Sequence, residues 1–284
     1  MFNYLKKLFS SQPEKEHPRH EPEEPLPEAD ELLEKLMPEI NKHAVDCIGI
    51  RTETGVPLEL RDSKFGGIPF LPVGTEYPTD PKGNPMRLLA QINFAELPKL
   101  SPYPEQGLLQ FYIAQDDGLY GLNYDNPTLQ ETWQALYFEH TNFEPRTDLN
   151  DLHPEPWEYS PLRQSPLALK FEIKKDLPAV GTLEFEQLVQ PLFDKDLIDQ
   201  LEDEYYELEP QPAIGHKVGG YPYFTQEDVR NLKPAFAKYQ LLFQMDSDSD
   251  KIMWGDVGVA NFFITPEDLA KRDFSKVIYN WDCT

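Results

Sequence analysis

The chain is short of cysteine, of positive charge and of long apolar runs, and each shortage removes a class of protein. Only two cysteines, Cys47 and Cys283, stand near opposite ends of the 284 residues, which excludes a disulfide framework, a CxxC redox pair and a zinc knuckle. Lys and Arg number 26 against 50 Asp and Glu, a net charge of −24. The average surface therefore repels phosphate, so nucleic acid is excluded as an expected partner and a basic protein is favoured. No apolar run approaches the roughly 20 residues that span a bilayer. The opening MFNYLKKLFSSQPEKE has neither the apolar stretch nor the small-residue cleavage site of a signal peptide, so a cytoplasmic location is expected. A GxSxG elbow, HExxH, a P-loop and a GxGxxG after a strand are all missing, and no cofactor is expected.

What is present is enough apolar and aromatic content, 39% and 12%, to bury a real core. Residues 1–28 read as a Pro/Glu-rich disordered tail, and 29–284 as a single folded unit. From Ala29 the pattern is helical, with Leu32, Leu33, Leu36 and Ile40 on one face and Pro38 bending or restarting the helix. CIGIRTE, LELRDSKF, RLLAQIN, GLLQFYIAQ and LKFEIKK then read as short strands bounded by turn residues. A second helical region is expected from Thr182 to Leu208, with Leu197, Leu201, Tyr205 and Leu208 on one stripe. Ten of its acids face a single base, Lys195, which reads as a solvated helix face or a docking surface. The fold class predicted is α+β, mainly antiparallel sheet, with an N-terminal helix and a connecting helical region.

The chain also matches itself. KFGGIPF from Lys64 pairs with KVGGYPY from Lys217, and LLAQIN from Leu88 with LLFQMD from Leu241, both at a spacing of 153. YPEQGLLQFYI from Tyr103 pairs with WGDVGVANFFI from Trp254 at 151. This predicts an internal duplication, about 47–140 and 167–284. Alternate strand residues share a face, so Leu88, Ala90 and Ile92, with Leu241, Phe243 and Met245, are expected in the core. Gln91 and Asn93, with Gln244 and Asp246, are expected on the other face.

Three aspartates, Asp246, Asp248 and Asp250, form DSDSD. An EF-hand is excluded, because its glycine position holds Lys251 and its glutamate position Val257, and no tight metal site is expected. Asp246 is expected to be held by hydrogen bonds, Asp248 less so and Asp250 to be free. Glu105 and Asp256 share a place in the repeats and read as caps of a turn, their carboxylates accepting backbone N–H bonds, or as parts of a polar ligand site. His216, where the first repeat has Ser63, is the best-placed histidine. The candidate binding residues are thus Gln91, Asn93, His216, Gln244, Asp246, Asp248, Trp254 and Asp256.

These segments, above all GHKVGGYP, LLFQMDSD, WGDVGVANFFI and DFSKVIYNWDC, resemble the YwqG family, a bacterial domain of unknown function, over about Glu31 to Cys283. The resemblance implies the duplicated α+β fold and no particular reaction. Its closest matches are His216, Gly219, Gly220, Pro222, Gln244, Asp246, Asp248, Trp254, Gly255, Asp256, Trp281 and Cys283. Two main functions follow from the residues: a non-enzymatic acidic binding module for a protein partner, of which an immunity-type inhibitor of a basic toxin is one form, or a hydrolase using Asp246, Asp248 and Asp256 with or without a divalent metal. Carbohydrate binding by exposed Trp254 and Trp281 is a weaker third, since both read better as core aromatics.

Overall fold

The structure is a computed structural model, and it describes residues 29–115, 118–149, 159–193, 195–206, 208 and 211–284. The expected tail at 1–28 lies outside the described residues. Ten strands form one antiparallel sheet: β1 (Val45–Glu53), β2 (Lys64–Phe65), β3 (Arg87–Asn93), β4 (Leu108–Ile113), β5 (Trp133–Phe138), β6 (Leu167–Asp176), β7 (Lys217–Val218), β8 (Gln240–Asp246), β9 (Val259–Ile264) and β10 (Ile278–Asp282). Their order is β10-β9-β8-β7-β1-β6-β2-β3-β4-β5. From one edge inward the strands run β10 to β7, and from the other β5 to β2. At the middle the two long strands cross over, so that β1 lies against β7 and β6 against β2. The β1–β6 pair is continuous from Val45 opposite Asp176 to Glu53 opposite Ala168.

Registers recur at the spacing found in the sequence. Lys64 lies opposite Gln91 and Lys217 opposite Gln244. Both third strands carry a bulge, between Leu88 and Ala90 and between Leu241 and Phe243. The bulge corrects the expected faces. One extra residue reverses side-chain direction, so Leu88 packs with Met86 and Tyr112 and Leu241 with Phe224 and Phe263, away from the main core. Leu89 and Leu242 enter the core in their place, beside Ala90, Ile92, Phe243 and Met245.

The sheet curls around an aromatic interior. Phe111 lies 4.1 Å from Phe262, ring centre to ring centre, and Phe262 lies 4.8 Å from Tyr279. Burying each such ring contributes roughly 1.5–3 kcal/mol. The two edges face each other across this core: Trp133 of β5 meets Tyr279 of β10, whose N–H and hydroxyl donate to the carbonyls of Pro127 and Tyr120. LELRDSKF, expected as a strand, pairs only at Lys64 and Phe65, because the residues before it loop over β3 and are held there by side chains.

Helices α1 (Ala29–Ile40), α2 (Leu183–Leu188) and α3 (Lys195–Tyr206) form a separate small core of Ile40, Phe185, Val189, Leu201 and Tyr205. Pro38 lies inside α1, which continues to Ile40. Thr182 caps α2 through the N–H of Phe185, and Pro191 sits in a single 3-10 turn before α3. Helix α4 (Pro266–Lys271) starts at a Thr265 cap and ends at Arg272 in the left-handed region. Among the described residues no helix is long and apolar enough to cross a membrane.

Candidate functional site

The predicted polar residues of the second half gather where β7 and β8 meet the second Gly-Gly corner, and nearly all are occupied by the protein's own backbone. Gln244 accepts the N–H of Tyr223 at 2.9 Å and donates to the carbonyls of Ala213 and Gly215. Gln91 makes the same three bonds, from Phe70 and to Leu60 and Asp62, and both glutamines are fully buried. A glutamine amide supplies one acceptor and two donors, so each pins a loop that has no strand to pair with.

Asp246 is held as expected: its carboxylate accepts the N–H of Gly215 and of Ser247, both at 2.7 Å. Burial pushes its pKa up, opposed by the Gly215 bond, His216 and the Ser247 bond. His216 Nδ1 accepts the Asp246 N–H at 2.9 Å, which leaves Nε2 to carry the proton, 3.9 Å from Asp248 Oδ2. Ser63 Oγ fills this role for Asn93 in the first half, and Asn93 in turn caps the N–H of Ala95.

The rest of DSDSD is a turn clamped to the end of β1. Asp248 accepts the Thr52 hydroxyl at 2.7 Å, and Lys251 Nζ donates to both Thr52 Oγ1 and Asp248 Oδ2, at 2.9 and 3.1 Å. His216, Thr52 and Lys251 together hold the Asp248 carboxyl well below the usual range. Asp250, expected to be free, is exposed, and Gln164 Nε2 donates to its carboxylate at 3.2 Å and to its carbonyl at 3.5 Å.

Asp256 does not join this group. It is exposed on the turn after Trp254, and neither its carboxylate nor that of Glu105, which pairs with Lys99, caps a backbone N–H. The expectation of a capped turn fails: the second turn closes through a main-chain bond, Gly258 N–H to Trp254 O, and the Glu105 carboxylate is taken by Lys99. Trp254 is fully buried, as its reading as a core aromatic expects, and Trp281 is half-buried. Among the described residues no three His, Cys, Asp or Glu side chains are placed to hold a metal ion.

Sequence reasoning missed a cavity of about 370 Å³ between α1, the ends of β1 and β6 and the 211–217 segment. Its floor is a buried ion pair, Lys217 Nζ to Asp176 Oδ2 at 2.7 Å, with Lys217 also donating to Ala213 O. The Asp176 carboxylate accepts the N–H of Tyr221 and fills the space beside Gly220, where any Cβ would strike it and Cys47. Burial and Asp176 push the Cys47 thiol up to about 11, so it is protonated and unreactive at neutral pH. Lys217 stood in a repeated block, but its partner, Asp176, lies 41 residues away at the end of a strand, and no local pattern links them.

Residues 63–283 match the family described as "Domain of unknown function (DUF1963)", and the chain belongs to that family. The match begins beyond β1, although β1 lies in the middle of the sheet. No curated protein matches the chain.

Proposed function

With membership of that family as the premise, we propose that this chain is a YwqG-like, internally duplicated, cytoplasmic protein that works by binding a basic protein partner and not by catalysis. One observation carries the reading: the polar side chains that could perform chemistry, Gln91, Gln244, His216 and Asp246, are consumed in holding loops. What remains to act outward is the surface and its charge of −24. An immunity-type inhibitor of a basic toxin is one form this takes. The duplication is supported by the equal registers of β2–β3 and β7–β8, by the matched bulges and by the two identical glutamine pins.

The test is titration of the chain against a set of small basic proteins at low and at high salt. Binding that weakens steeply with salt is expected; no affinity for any of them at low salt removes the proposal. The alternative is a hydrolase, and the half-exposed Thr52–Asp248–Lys251 chain is the observation that favours it. Turnover of chromogenic esters or phosphoesters, with or without magnesium or manganese, that disappears in Asp248→Asn would put it first.

A further inference from the structure

A second cleft, about 420 Å³, opens beside β10. Its rim carries two large apolar side chains left open, Tyr124 at 66% and Leu232 at 60% exposure, and its wall is the half-buried Trp281. Two carboxylates line it besides the one committed to Arg230: Glu227, which is exposed, and Asp282, which accepts the N–H and hydroxyl of Thr225 and the N–H of Gln226. No lysine or arginine lines it, and nearby Lys233 is engaged by the carbonyl of Asp125.

Asn280 lies in this wall at 9% exposure, and its side-chain amide has no hydrogen-bond partner among the described residues. Its cross-strand neighbour Asn261 is also short of a partner, its Oδ1 buried and unmatched. The first half explains the deficit. There Gln110, at the position of Asn261, has its Oε1 satisfied by the Tyr112 hydroxyl at 2.8 Å and faces Leu136 across the strands. The second half has Phe263 and Asn280 in those places, with no hydroxyl to give. The Asn280 amide, open to the cleft and without a protein partner among the described residues, is placed to meet a ligand that supplies one.

One wall of the cleft has a counterpart in the first half. Residues 73–76, at the 153-residue spacing from 226–229, line a cleft of about 510 Å³ into which the chain places its own guanidinium. Arg146 donates there to Thr75 O at 3.0 Å and makes a two-pronged pair with Asp148 at 2.9 and 2.7 Å. Thr75 stands where the second half has Asp228.

We infer that the cleft beside β10 is the docking site for an arginine side chain of a basic protein segment, with Glu227, Asp282 and Asn280 as acceptors and Tyr124 and Trp281 as the aromatic faces it lies against. The inference rests on the binding reading above and gives it a place. A planar guanidinium satisfies several acceptors at once and stacks on aromatic rings, which a compact ammonium does less well. The acidic surface steers such a segment toward the cleft.

The test is calorimetric titration of the full chain with a hexapeptide of alternating glycine and arginine, its lysine counterpart and spermine. The arginine peptide is expected to bind tightest, and Tyr124→Ala and Glu227→Gln, both at exposed side chains, to weaken it by about tenfold each. Asn280→Leu, which installs the residue of the first half, should do the same, while Asp203→Asn on the exposed face of α3 should leave binding unchanged. Equal binding by the cleft variants, or an equal loss in Asp203→Asn, removes the cleft and leaves a binding module that uses another surface. Spermine or the lysine peptide binding as tightly overturns the arginine assignment. No binding by any basic probe overturns the cleft together with the reading it rests on.

Discussion

Lys64 and Lys217 stand in the same register of corresponding strands, are both almost wholly buried, and donate to corresponding carbonyls, Leu60 and Ala213. They differ in one partner. Lys217 has the carboxylate of Asp176, whereas Lys64 has only main-chain oxygens, and burial pushes its amine down to about 8. The same scaffold therefore holds a neutralised charge in one half and a strained one in the other. A repeated framework fixes where a side chain goes, and residues outside the repeated blocks decide what it does there.

The largest break in this pairing should come from Lys217→Met. It leaves Asp176 buried and unpaired, and unfolding free energy from denaturant melts should fall by about 3–5 kcal/mol. Next come the two glutamine pins. Gln91→Leu and Gln244→Leu each free one backbone N–H and two carbonyls, and each should cost about 2–4 kcal/mol. Gln91→Leu also removes an acceptor of Gln110 Nε2 at 2.7 Å, so its loss should be equal or somewhat larger, and a clearly larger loss in Gln244→Leu would break the comparison. Asp246→Ala should cost about 1–3 kcal/mol through two lost backbone partners, against less than about 0.5 for the exposed Asp256→Ala.

Lys64→Met should be neutral within about 1 kcal/mol at pH 7, the reverse of its counterpart, because it removes a buried charge that Asp62 and Glu96 only partly offset and that no carboxylate pairs directly. The folded amine holds its proton less tightly than the unfolded one, whose ordinary value is 10.5. Between pH 8 and 10.5 the unfolded chain thus binds more protons, and wild-type stability should rise relative to the variant across that window. A stability difference that stays flat with pH would show that Lys64 is not strained.

The strands β1, β3, β4 and β6 were legible because each is a run of branched and aromatic residues long enough to show a pattern. β2 was legible only as the end of the longer LELRDSKF and β7 was not, since two residues carry no period and are strands only through their neighbours. The faces of Leu88 and Leu241 were misread for a related reason: a bulge is a property of two paired strands, and either sequence alone looks regular. The candidate site was legible as a group, with His216 bonded to the Asp246 N–H and with Gln244 and Asp246 both bonded to Gly215. Its roles were not, because the partners that consume them, Ala213, Gly215 and Tyr223, are backbone groups, which any residue except proline supplies in full. Asp256 looked like Asp246 in composition and differs only in lying on a turn that closes without it.

The crossover of β1 and β6 also bears on how the chain is made. β1 leaves the ribosome early, yet its partners at 167–176 and 217–218 follow more than a hundred residues later. At roughly 5–20 residues per second, the central strand of the sheet waits several seconds or more with both edges open. During that interval the nascent chain holds an apolar strand, CIGI at its centre, that nothing yet translated can cover. The same crossover means that neither half contains its own innermost strand. The two halves expressed as separate polypeptides should therefore complete their sheets only by exchanging β1 and β6 between chains.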